Sequence, residues 1–145
     1  MELHATAPSK ARIAVIDDDA IFVDLMRDLL MLGEGYEVVS APHWLRSVEF
    51  VKETQPDLII LDLMLGRDQT GWGVLELLRE DPAMARIPVI LCSAAAPALK
   101  QCPQQALGDG VLEAVAKPFD VDHMLEVVQR LLETSGYRAT ERSGG

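Results

Sequence analysis

The sequence predicts an α/β fold in which a five-stranded parallel sheet is covered by helices on both faces. Five short apolar runs alternate along the chain with segments of helical periodicity. The runs are rich in Val, Ile and Leu, which is typical of parallel strands that are buried on both faces. Polar residues follow several runs directly, and the carboxyl edge of such a sheet is where open α/β folds bind their ligands.

The predicted strands are short and are bounded by polar or turn-forming residues. We place them at Arg12–Ile16, Glu37–Ser40, Leu58–Leu61, Val89–Cys92 and Ala114–Ala116. Right-handed crossovers join parallel strands, so a helix is expected in each gap between them and after the last one.

The helices of this arrangement are predicted from apolar stripes and from residues that end helices. The stripe of the first helix is predicted to face the sheet and consists of Ile21, Leu25, Leu29 and Leu32. Gly33 and Gly35 are expected to end that helix. The stripe of the last helix consists of Val121, Met124, Leu125, Val128, Leu131 and Leu132. Helices are also expected between the second and third strands, over 73–80, and over 99–107, where Pro103 makes the helix irregular.

Length and charge restrict the domain organisation and the partners. The 145 residues correspond to one domain, which we place at residues 11–134 between a flexible leader, 1–10, and a flexible tail, 135–145. A formal charge of −10 argues against nucleic acid and anionic membranes as partners. No apolar run approaches the ~18 residues of a membrane span, and the two cysteines form no disulfide framework, so a cytoplasmic location is expected.

Polar residues that follow four of the strands form a chemically coherent set. They are Asp17 and Asp18, Asp62, Ser93 and Lys117. Parallel strands bring these residues to one edge of the sheet, where Asp18 and Asp62, helped by Asp17, can hold Mg²⁺ through oxygen ligands. Lys117 and Ser93 can then contact phosphoryl oxygens, and a carboxylate can accept a phosphoryl group.

Four sequence fragments resemble the receiver domain of two-component response regulators. They are IAVIDDD, PDLIILDLML, PVILCSA and AVAKPF, and their order and spacing extend the resemblance over about residues 11–134. The resemblance implies a doubly wound, flavodoxin-like sheet of strand order 2-1-3-4-5 with five helices. It also implies a single-domain response regulator that acts through protein contacts or by phosphorelay, rather than an enzyme with an external substrate.

The resemblance further assigns a role to each candidate site residue. Asp62 matches the phosphorylated aspartate, and Asp17 and Asp18 match the acidic pair, of which Asp18 ligates Mg²⁺ directly. The remaining assignments are Met64 for a backbone carbonyl ligand, Ser93 for the switch hydroxyl, and Lys117 for the invariant lysine that precedes a typically cis proline. A sensor histidine kinase is the implied phosphoryl donor, and an output protein or a histidine phosphotransfer protein is the implied target.

Two of the departures from the family pattern concern contacts with partner proteins. Gly66 stands where the family has a proline after the acceptor, and the loop that follows is longer than usual. Ala114 stands where the family has an aromatic switch residue, so the coupled swing of hydroxyl and aromatic side chains cannot occur in its usual form. The sequence therefore predicts ordinary phosphoryl chemistry with an altered route for the output signal.

Two other functions also fit part of the pattern. A phosphohydrolase that resembles the haloacid dehalogenase family would use Asp17 as its nucleophile, since Asp17, Asp18 and Asp19 satisfy the DxD pattern of that family. However, Ala20 replaces the Thr or Val expected there, and there is no cap domain. An unphosphorylated scaffold with a receiver-like fold is the third possibility. Asp19 itself is expected to cap the first helix.

Overall fold

The chain is built around a parallel sheet of five strands. The computed structural model describes residues 11–41, 47–62, 72–93 and 112–134. The strands are β1 (Arg12–Ile16), β2 (Glu37–Ala41), β3 (Leu58–Asp62), β4 (Val89–Ser93) and β5 (Leu112–Ala116). Their order is β2-β1-β3-β4-β5, and every neighbouring pair is parallel. The predicted fold class and strand order are therefore confirmed, with four of the strands one or two residues longer than predicted.

Helices follow four of the strands in the described part of the chain. They are α1 (Ala20–Arg27), which continues as a π-helical segment over Asp28–Gly33, α2 (Ser47–Thr54), α3 (Trp72–Glu80) and α4 (Val121–Thr134). Gly35 follows the π-helical segment with a positive φ of 78°, a conformation that favours glycine. The predicted helix over 99–107, the leader 1–10 and the tail 135–145 lie outside the described residues.

The core consists of two apolar layers, one on each face of the sheet. Ile13 and Val15 of β1 point into the layer formed with α1 and α4, whereas Ala14 and Ile16 point into the layer formed with α2 and α3. This alternation follows from the two-residue period of a strand. Burial of each large aliphatic side chain stabilises the fold by about 1.5–3 kcal/mol. The two packed layers therefore fix the position of the carboxyl edge of the sheet.

The prediction for the sheet-facing stripe of α1 is wrong at three of its four positions. Ile21, Leu25 and Leu32 are 81%, 44% and 82% exposed, whereas Leu29 is partly buried against the core. The residues that α1 and its π-helical continuation bury are Phe22, Val23, Met26 and Leu30. Two apolar stripes of the same period overlap in this helix, and periodicity alone cannot choose between them. The packing of the Phe22 ring against Phe119 is consistent with the observed choice.

The stripe of α4 agrees with the prediction except that its first residue is exposed and that Val127, which was not predicted, is buried. Its buried members are Met124, Val128, Leu131 and Leu132, and Leu125 is partly buried. Val121 is 38% exposed because it lies in the first turn, directly after Asp120, whose carboxylate accepts the Asp122 N–H at 3.1 Å. Within the described ranges, no helix combines the length and apolar character needed to cross a membrane.

Candidate functional site

Three carboxylates meet at the carboxyl edge of the sheet. β1 ends directly before Asp17 and Asp18, and the adjacent strand β3 ends in Asp62. One carboxylate oxygen of each residue lies within 4.8 Å of the other two. Asp17 and Asp62 are buried, at 2% and 7% exposure, whereas Asp18 is exposed. Three like charges at this distance repel one another, so the arrangement needs cations to be stable.

Lys117 brings a cation to this cluster from the segment after β5. Its Nζ donates a hydrogen bond to Asp17 Oδ2 at 2.7 Å and lies 3.7 Å from Asp62 Oδ2. Burial lowers the pKa of Lys117, but the hydrogen bond to Asp17 and the charges of Asp17 and Asp62 outweigh it, so the pKa is raised above its ordinary value. The side chain is therefore an ammonium at neutral pH. The bond between Lys117 and Pro118 is cis, as the resemblance implies.

The ring of Phe22 forms another side of the lysine environment. Lys117 Nζ lies 4.0 Å from the centroid of this ring. Phe119 meets Phe22 in a T-shaped contact, with ring centroids 6.0 Å apart and planes at 90°. Phe22 is not among the site residues predicted from the sequence. The sequence did carry one indication, since this aromatic residue follows the three consecutive aspartates closely. The apolar periodicity, however, placed Phe22 on the exposed side of α1.

Asp19 caps α1, as predicted, and it also donates a hydrogen bond to Asp17. Its Oδ1 accepts the N–H groups of Ile21 and Phe22 at 3.0 and 3.3 Å, which makes it the N-cap of α1. Its own N–H donates to Asp17 Oδ1 at 2.9 Å. The start of α1 is therefore fixed relative to Asp17.

The residues present fit a divalent cation with oxygen ligands. Three carboxylates and one ammonium leave a formal charge of −3 + 1 = −2. Mg²⁺ prefers a small number of carboxylates and retains several waters, and the exposed Asp18 leaves the cluster open to water. Ser93 ends β4 at the same edge, opposite Ala116 of β5. Met64, the predicted carbonyl ligand, lies outside the described residues.

Cys92 is buried below the cluster and stays outside its chemistry. It lies opposite Asp62 in the sheet and has no exposed surface. Burial, together with the charges of Asp17 and Asp62, raises its pKa to about 12, although Lys117 acts in the opposite direction. A thiol with this pKa stays protonated at neutral pH and is therefore a poor nucleophile.

The chain belongs to the response regulator receiver family. The family model described as "Response regulator receiver domain" matches residues 13–140. The chain is 32% identical over 122 residues to the chemotaxis protein CheY of Bacillus subtilis, a match that covers 83% of this chain and 97% of CheY. It is 28% identical over 121 residues to the polar-differentiation response regulator DivK of Brucella anthropi, covering 83% and 94%. Receiver domains are signalling modules of two-component systems.

A third relative is longer than this chain. The DNA-binding dual master transcriptional regulator RpaA of Synechocystis sp. is 38% identical over 121 residues, which cover 83% of this chain but 48% of RpaA. The match therefore spans about half the length of that relative, and the DNA binding in its name is a statement about RpaA alone.

Solved structures show the same fold. A response regulator from Chloroflexus aurantiacus superimposes with a TM-score of 0.72 at 24% identity, covering 86% of this chain and 99% of that one. The chemotaxis protein CheY4 of Vibrio cholerae gives a TM-score of 0.72 at 22% identity, covering 85% and 99%.

Of the positions that depart from the family pattern, the structure describes Ala114. Ala114 lies in β5 opposite Leu91, and it is exposed. No aromatic side chain is therefore present at this strand position to move between two states. Gly66 and Pro103 lie outside the described residues, so the altered output route stays a prediction.

Proposed function

We propose that this receiver domain accepts a phosphoryl group on Asp62 from a phosphohistidine of a sensor histidine kinase. Phosphorylation then changes its contacts with an output protein, or the group passes on to a histidine phosphotransfer protein. The observation that carries the proposal is the meeting of three carboxylates and the Lys117 ammonium at one edge of the sheet. We place this activity in the reducing cytoplasm, which is compatible with the free thiol of Cys92.

Each residue has a defined part in the transfer. Asp17, Asp18 and Asp62, with the backbone carbonyl of Met64, would hold Mg²⁺, which when bound neutralises charge on the phosphoryl oxygens. An Asp62 oxygen attacks phosphorus, so that an O–P bond forms and the P–N bond to histidine breaks. The bonding electron pair of the P–N bond goes to the imidazole nitrogen. Lys117 and the Ser93 hydroxyl donate hydrogen bonds to the transferred group.

The surroundings of Asp17 argue against this residue as the acceptor. Asp17 Oδ1 accepts the Asp19 N–H, and Asp17 Oδ2 accepts the Lys117 ammonium, while the side chain is only 1% exposed. An oxygen that is already hydrogen-bonded and buried is a weak nucleophile. This arrangement argues against the hydrolase with Asp17 as nucleophile, and the complete charge set argues against an unphosphorylated scaffold.

A small-molecule phosphoryl donor tests the proposal without a kinase. We expect acetyl phosphate with Mg²⁺ to add one phosphoryl group per chain, detected by intact-protein mass spectrometry, and chelation of Mg²⁺ to prevent the addition. Steady release of phosphate from phosphate esters would instead support the hydrolase. A chain that acquires no phosphoryl group from acetyl phosphate or from any histidine kinase would support the scaffold.

The exposed apolar residues at the start of α1 are the surface that we assign to the kinase. Ile21 is 81% exposed, and α1 begins directly beyond Asp17 and Asp18. A partner that delivers a phosphohistidine to Asp62 must cover this end of the helix. The apolar face here is therefore continuous with the proposed reaction site.

Substitution Ile21→Glu should separate kinase docking from phosphoryl chemistry. We expect phosphotransfer from a histidine kinase that phosphorylates the wild-type chain to slow by about tenfold, since an apolar contact of this size is lost. Labelling by acetyl phosphate should be unchanged. Leu32→Glu is the matched control, because Leu32 is equally exposed, at 82%, and lies at the far end of the π-helical segment that continues α1. Equal slowing by both variants would show that this end of α1 has no special role.

A further inference from the structure

We propose that Phe22 is a positioning residue for Lys117, whose ammonium it holds beside Asp17 and Asp62 by a cation–π contact. This inference rests on the proposed phosphoryl transfer and adds a residue to it. The role is that of the aromatic ring itself, since an aliphatic side chain could fill the same space but would offer no negative ring face to the ammonium.

The contact between Lys117 and Phe22 has the geometry of an attractive cation–π interaction. The Lys117 Nζ lies 4.0 Å from the ring centroid of Phe22, inside the ~6 Å range of cation–π contacts. Phe22 is 6% exposed, and the Lys117 side chain is 18% exposed. Little water therefore competes for the ammonium on this side, which strengthens the attraction of the ring.

The ring is also held in place by its own neighbours. Phe22 packs in the apolar layer between the sheet, α1 and α4, and Phe119 contacts it in the T-shaped arrangement. Its backbone N–H donates to the Asp19 cap, and the Asp19 N–H donates to Asp17. The ring and the carboxylate that bind the ammonium are thus joined by one short segment of chain.

A fixed ring matters because a lysine side chain is flexible. Its four-carbon stem and three rotatable donors allow many positions for the ammonium. In this structure Asp17 holds Nζ at 2.7 Å, and Asp62 lies farther away at 3.7 Å. Contact with an incoming phosphoryl group requires the ammonium to turn partly from Asp17 toward Asp62. The ring limits that movement to positions within reach of the site.

Fluorinated phenylalanines at position 22 provide the test. Successive fluorination weakens the negative ring face but nearly preserves the shape of the side chain. We expect the rate of Asp62 labelling by acetyl phosphate to fall stepwise, by about fivefold in total for trifluorophenylalanine. The affinity for Mg²⁺ and the thermal midpoint should change little. Phe22→Leu should lose a similar factor, because its side chain has no ring face.

The matched control is the same fluorination at Phe119, which belongs to the same ring pair. Equal loss at both positions would show that ring packing, and not attraction of the ammonium, sets the rate, and it would overturn the inference. An unchanged rate on fluorination of Phe22 would overturn it as well, while leaving the proposed function intact. If the unmodified chain is not labelled on Asp62, the proposed function itself is wrong, and the role of Phe22 falls with it.

Discussion

Replacement of Asp62 by Asn is expected to reduce phosphoryl incorporation to background, both from acetyl phosphate and from a kinase. A carboxamide cannot form an acyl phosphate, so this variant removes the proposed acceptor as well as one negative charge. Asp62 lies at the end of β3, with one oxygen 3.7 Å from the Lys117 ammonium. Because Asn has nearly the shape of Asp, the sheet edge should keep its structure. Intact-protein mass spectrometry after incubation with the donor gives the result.

Two controls separate the acceptor from its neighbours. Asp24→Asn changes a carboxylate on the outer side of α1 that is 77% exposed, and it should be labelled like the wild-type chain. Asp17→Asn should be labelled more slowly but still on Asp62, since the proposed acceptor remains. Persistent labelling of the Asp62→Asn variant at the wild-type rate would contradict the assignment.

Replacement of Lys117 by Met is expected to destabilise the metal-free protein by about 3 kcal/mol, the lower end of the cost of leaving a buried charge without its partner. The ammonium is the cation that the structure places between Asp17 and Asp62. Without it, three carboxylates within 4.8 Å of one another have no opposing charge from this side chain. The free energy of unfolding in urea, measured in the presence of a chelator, gives the size of the effect.

Addition of Mg²⁺ should restore part of this lost stability, because a cation that binds only the folded state stabilises it. The control is Lys52→Met, which removes an ion pair with Asp81 of 3.6 Å at a lysine that is 58% exposed. Surface pairs contribute up to about 1 kcal/mol, so this variant should change little. An equal loss in the two variants would show that the Lys117 pair is no more than a surface contact.

The strand ends explain why so much of the site could be predicted from the sequence. β1 and β3 are continuous apolar runs that stop at Asp17 and Asp62, and parallel pairing must bring such ends together. Lys117 directly follows β5, so the same rule places it at the same edge of the sheet. This rule does not predict the distances between side chains. The 2.7 Å contact of Lys117 with Asp17, shorter than its 3.7 Å distance to Asp62, depends on three-dimensional packing.

α1 shows where periodicity is insufficient. The helix carries apolar residues on two adjacent stripes, and the one that begins at Ile21 is as regular as the one that begins at Phe22. The structure buries the second and exposes the first. Because the wrong stripe was predicted to face the sheet, neither the ring beside Lys117 nor the exposed apolar surface at the site was predicted. Both features became visible only when the helix was placed against the sheet.

The most direct test of the central claim is to identify the carboxylate that carries the phosphoryl group. The chain is incubated with acetyl phosphate and Mg²⁺, the acyl phosphate is reduced with borohydride, and the modified residue is located by peptide mass spectrometry. The site described here predicts that homoserine appears at Asp62. Its appearance at Asp17, at the end of β1, would contradict the assignment of the acceptor and support the hydrolase chemistry instead.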